Sequence, residues 1–206
     1  KLCDYLPLAI VIVGRFLNKT NQLDPTVFLE KLRGLRDVGR KPGEKGIEHV
    51  GLSMVLAIVT KFLSEQTAIV WRKLLVFPGT FSAKAVEAVC DDLNSNHLTH
   101  LESFNLVSHN YDSDRYFLHE MVREYLVTVV NKLEQGTSYP KHATYFLTVL
   151  NTAKDMYQQD DNGVRAALHL LDMEWGNIQA AFAWSEKMIG KDGTATKMCS
   201  AYLETG

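Results

Sequence analysis

Of the residues in this sequence that could do chemistry, His119 has the most specific setting. It stands where a short strand-like segment, residues 115–118, runs directly into an amphipathic helix with apolar positions at Met121, Val122, Tyr125, Leu126, Val129, Val130 and Leu133. Gly136 is read as the stop of that helix. A ring at a helix N-terminus feels the positive end of the macrodipole, which disfavours the imidazolium. The spacing therefore predicts a neutral imidazole beside free backbone N–H groups. A phosphate suits such a place. A plain helix cap, or a ring packed beneath a hairpin, fits the same spacing.

Other chemistry is harder to build. His119-Glu120 opens like the HExxH helix of a zinc protease, but the fifth position is Arg123, which cannot ligate a metal at neutral pH. His97 and His100 lie at i, i+3 near Cys90 without a fixed fourth ligand. The glycine-rich turns at 39–46 and 190–193 lack the GxxxxGK[ST] of a phosphate-binding loop, and no serine stands in a GxSxG context. These patterns predict a non-catalytic chain with no metal site.

The elements that must position His119 follow from periodicity. Apolar residues at Leu6, Ile10, Val13, Phe16 and Leu17, then Val27, Phe28, Leu32 and Leu35 after Pro25, predict two helices, followed by a charged, glycine-rich connector over residues 36–46. Helices follow around Leu52–Leu63 and Ile69–Phe77, the latter halted by Pro78-Gly79, with Ser82 as N-cap of another over 83–93 and a further one over 96–104. Residues 106–111, the turn cluster Asp112-Ser113-Asp114 and residues 115–118 read as a hairpin. From Tyr139-Pro140 onward the pattern is antiparallel helices with turns at 158–163 and 190–193. The expected fold is mainly α: a helical bundle remnant and linker (1–46), a winged-helix domain with a small β-hairpin wing (47–136), and antiparallel helices of an α-solenoid type (137–206).

Composition narrows the partners. The 206 residues are 46% hydrophobic and 22% charged, and 22 basic residues against 24 acidic leave a formal net charge of −2, so no global field draws in nucleic acid or an acidic membrane. Cys3, Cys90 and Cys199 form no CxxC, which predicts a reducing, cytoplasmic setting. The apolar run at 6–13 is far shorter than the ~20 residues that span a bilayer. Because the chain starts at Lys1 with periodicity under way by Leu2, it is expected to be a piece of a longer protein. The would-be recognition helix of a DNA-binding winged helix, residues 91–102, has no lysine or arginine, and the wing offers only Arg115. Lys and Arg supply most phosphate contacts, so DNA is not the expected partner.

Several stretches, in order, resemble the NB-ARC-type STAND ATPases. Leu6-Pro7-Leu8-Ala9-Ile10 resembles the GLPLA motif, with Tyr5 in place of its glycine; residues 74–82 (LLVFPGTFS) look like the turn between early winged-helix helices. Leu118-His119-Glu120 resembles the MHD motif, with Glu120 in place of its aspartate, and residues 174–181 (EWGNIQAA) are similar to the E-x-x-N-[LI]-x-A-A stretch that opens the helical repeats of bacterial members. The resemblance implies that Pro7 lies against the adenine and His119 contacts the β-phosphate of ADP bound by an upstream nucleotide-binding domain. ATP exchange would then release the winged helix and allow oligomerisation. It implies ADP or ATP in the full-length protein and none held by this stretch alone. Protein partners would reach the helical region. A proline in the first turn of a core helix accounts equally for Pro7. A winged-helix transcriptional regulator and a helical scaffold for protein partners are the alternative functions.

Overall fold

A computed structural model describes residues 6–20, 24–39 and 50–204 of the chain. Tyr5, Cys3 and most of the expected connector lie outside those residues. Among the described residues the fold is mainly helical with one small antiparallel hairpin, as the periodicity predicted.

Helices α1 (Pro7–Thr20) and α2 (Pro25–Gly39) both begin with a proline at the first helical position, where the missing N–H has no intrahelical partner to lose. Helix α2 runs to Gly39, so residues 36–39, read from their composition as connector, belong to the helix. Both helices pack on α3 (Val50–Thr60). Helix α3 is apolar on nearly every face and is correspondingly buried on nearly every face, with Leu52, Val55, Leu56, Ile58 and Val59 almost inaccessible. Phe16, Phe28, Phe62 and Phe104 interlock around its end.

The next unit is α4 (Glu65–Lys73), a 3-10 turn at Leu74–Val76, α5 (Ala83–Cys90), α6 (Asn96–Ser103), the hairpin β1 (Ser108–Asn110) and β2 (Arg115–Phe117), and α7 (Glu120–Val129). Caps set the boundaries: Ser64 accepts from Thr67 N and Ser82 from Ala85 N. Asp92, fully buried, accepts from His97 N at 3.0 Å and Leu98 N at 2.7 Å at the head of α6. In the hairpin Ser108 faces Phe117 and Asn110 faces Arg115. Phe81 adds a third strand position, exchanging backbone hydrogen bonds with Tyr116 at 2.9 and 2.8 Å. Helix, strand residue, helix, helix and hairpin follow in the order of a winged helix.

The last part is an antiparallel trio: α8 (Lys132–Tyr157), α9 (Asp161–Met188) and α10 (Gly193–Glu204). Here the sequence misled in two places. Gly136 does not stop α7, which already ends at Val129; it lies inside α8, as does Pro140. An interior proline costs a helix about 3 kcal/mol, and burial of Ala143, Phe146 and Leu150 along the same helix offsets it. Residues 166–170 and 175–184, read as separate runs, are one helix of 28 residues. Helix α8 docks on the hairpin unit through Phe146 and His142 against Phe77, at centroid distances of 6.4 and 5.2 Å. One hydrophobic core runs from Ala9 to Met198.

Candidate functional site

His119 is the N-cap of α7. Its backbone is extended (φ −60°, ψ 141°), and its Nδ1 accepts a long hydrogen bond from Met121 N at 3.4 Å. An accepting Nδ1 places the proton of the neutral ring on Nε2. The side chain is exposed, and Nε2 has no hydrogen bond among the described residues. This corrects one expectation. The backbone amides of the first turn are largely committed rather than free: the ring takes Met121 N, and the His119 carbonyl accepts from Val122 N at 2.9 Å and Arg123 N at 3.0 Å. The group His119 has left to offer an anion is therefore Nε2–H, a single donor.

Pro7 opens α1 and is exposed. The two residues expected to contact one nucleotide are thus carried by α1 and α7, two helices that both pack on α3. They make no hydrogen bond to any common group among the described residues. Arg123, one turn after His119, is half-buried and donates to the carbonyls of Leu75 (3.3 Å) and Phe77, pinning the 3-10 turn to α7. Burial holds its guanidinium below the usual arginine range.

The most heavily built polar cluster among the described residues was not singled out as a site by sequence spacing. Arg115 of β2 and Glu174 of α9 form a bidentate ion pair: Nη2 donates to Oε2 at 2.9 Å and Nη1 donates to Oε1. Both side chains are nearly inaccessible, at 7% and 6%. Arg115 also reaches the loop before α5, donating from Nε to Thr80 Oγ1 at 3.2 Å and from Nη2 to the Thr80 carbonyl at 2.9 Å. Asn177 closes the ring, its Nδ2 donating to the Thr80 carbonyl and to Glu174 Oε2, both at 2.9 Å. Three stretches noted separately along the sequence, the FPGT loop, the lone wing cation and the E-x-x-N run, meet here. The available signal was positional. Glu174 and Asn177 fall on the same helical face as Ala167, Ile178 and Ala181, where only apolar residues are expected.

Other candidates resolve into structural roles. His97 Nδ1 pairs with Thr67 Oγ1 at 2.9 Å, and burial pushes the Cys90 thiol far up, away from the thiolate a metal would need. No group of three or more His, Cys, Asp or Glu side chains among the described residues could hold a metal, and no described helix is long and apolar enough to cross a membrane. One end of α6 lies beside α1. Arg15 donates to the Glu102 carbonyl at 3.2 Å, and a shallow pocket there is walled by Lys19, Thr99, Ser103 and Tyr111. Comparison of the chain with protein-family models, with curated proteins and with solved structures gives no match.

Proposed function

We propose that this chain is the regulatory, non-catalytic portion of a STAND-type signal-transduction ATPase, in which the nucleotide state of an adjoining domain decides whether the hairpin unit stays docked. The observation that carries the reading is the exposed His119 at a strand-to-helix junction, its Nδ1 given to the helix cap and its Nε2–H free to donate. A donor of this kind suits a phosphate oxygen of ADP, at the position where the sequence resembles an MHD motif. Pro7, at the first position of α1, would lie on the adenine side of the same ligand. The adjoining domain would supply the phosphate-binding loop and the magnesium ligands. Switching of this type needs rigid bodies that dock in two ways, and the buried pair between β2 and α9, while closed, joins the hairpin unit to the helical trio.

The reading is tested on the chain extended upstream through a nucleotide-binding domain, by measuring ADP retained after purification with and without His119→Ala. Retention by the parent and a clear loss in the variant supports the proposal. Equal retention in both, or none in either, ends it.

A helical scaffold for protein partners is the second reading. It is favoured by Trp175, Tyr202 and Phe182, which stack along α9 and α10 at 5.8 and 4.2 Å with Trp175 42% exposed. The transcriptional-regulator alternative has less support, because residues 91–102, which include α6, carry no lysine or arginine.

A further inference from the structure

We infer that Arg115, Glu174, Asn177 and Thr80 form a releasable latch: when the ion pair breaks, α9 and α10 swing away from the hairpin about α8, with both sides remaining folded.

The first support is how unlike the two attachments of the helical trio are. Helix α8 is joined to the hairpin unit by apolar packing, through Phe77, His142 and Phe146 and along α5. Helix α9 packs extensively on α8 and α10, but what it presents to β2 and the Thr80 loop is Glu174 and Asn177. Apolar packing on one side and a polar clasp on the other is the arrangement of a hinge and its catch.

The second support is the energetics of buried charge. Taking Arg115 and Glu174 out of water carries a large desolvation cost for each ion, and the pairing does little more than repay it. Closed, each charge has its partner; open, each has water. Every arrangement in between strands a desolvated charge, so the contact is all-or-none with a small gap between its end states. Asn177 adds a bias toward release, because its Oδ1 is buried in the closed form without a hydrogen-bond partner. Opening would hydrate that oxygen.

The latch rests on the contact between the hairpin and α9 and not on nucleotide binding, so it and the ADP proposal fail separately. The test is a spin-label distance measurement on the full chain, with nitroxides at Ser113→Cys on the exposed turn and Gln179→Cys on the exposed face of α9, in a Cys3→Ser, Cys199→Ala background. The parent should give one distance. Arg115→Met should add a second, longer distance with helical circular dichroism unchanged, and Arg115→Met/Glu174→Met, which removes both charges, should return to the single short one. Glu174→Gln serves as a milder second break. An unchanged single distance in both Arg115→Met and Glu174→Gln, or loss of helical signal in both, overturns the latch.

Discussion

Arg115 and Glu174, 59 residues apart in the chain, meet end-on and buried, so that the short second strand of the hairpin is fixed to the middle of the longest helix. The pair does what apolar packing cannot. It sets one register between two units, because the guanidinium fork, the carboxylate and the Thr80 carbonyl are satisfied together in one geometry only.

Acid should weaken the chain through His142. This side chain is buried between Phe77 and Phe146, its Nε2 has no partner, and desolvation pushes its pKa down to about 3. The unfolded ring titrates near 6.5. The unfolded state therefore binds more protons below that value, and stability falls as pH drops from 6.5 toward 3, by about 1.4 kcal/mol per unit at most. His142→Leu should leave the urea midpoint at pH 7 unchanged or higher and flatten its fall between pH 6.5 and 4.5.

A second acid-sensitive contact has a different window. Arg72 donates from Nε and Nη2 to the two oxygens of Glu134, both at 2.7 Å, tying α4 to the first turn of α8. That hydrogen bonding holds the Glu134 carboxyl below the usual carboxylate range. A lowered folded pKa stabilises above the unfolded value near 4.5, and the contribution is lost as pH falls through the folded one. Glu134→Gln should cost about 1 kcal/mol at pH 7 and progressively less as pH falls below 4.5, in paired denaturation curves.

Asp92 is the cap of α6 and is fully buried. Asp92→Ala leaves two amides without acceptors and should cost about 2–3 kcal/mol in a urea titration, with Asp92→Asn losing roughly half of that.

Gly163 packs where the turn from α8 closes on α9. A Cβ added there would run into the Met156 carbonyl and the Gln159 side chain. Gly163→Ala should lower stability by about 1–3 kcal/mol, although alanine at an exposed helical site normally improves it. A melting temperature at or above the parent's would show that the turn yields.

How much of this was legible in the sequence depended on how local the cause was. Ser82, the turn at 112–114 and the apolar spacing of α1 to α7 act within a few residues, and the elements exist in the order those signals placed them, although α4 covers Glu65–Lys73 rather than residues 69–77 and α7 ends at Val129 rather than running on to Leu133. Gly136 and Pro140 are equally local signals, yet they misled. Asn131 caps α8 at Leu133 N (2.6 Å), Arg72 grips Glu134, and Phe146 docks on Phe77, so packing outweighs the intrinsic cost of both residues. His119 could be placed at its junction from spacing alone, but the commitment of its neighbouring amides needed coordinates. Glu174 and Asn177 could be marked as polar residues on an apolar helical face, but their partner could not be named, because nothing near position 115 indicates a carboxylate on α9.

The most direct measurement is a double-mutant cycle on that pair, using urea unfolding of the parent, Arg115→Met, Glu174→Met and the double variant. Each single variant should lose about 2 kcal/mol, limited by the ease with which opening rehydrates the remaining charge, and the double variant only about 1 kcal/mol, a coupling of about 3 kcal/mol. Additive losses, with coupling within about 0.5 kcal/mol of zero, would contradict the conclusion that Arg115 and Glu174 lock the hairpin to the helical trio.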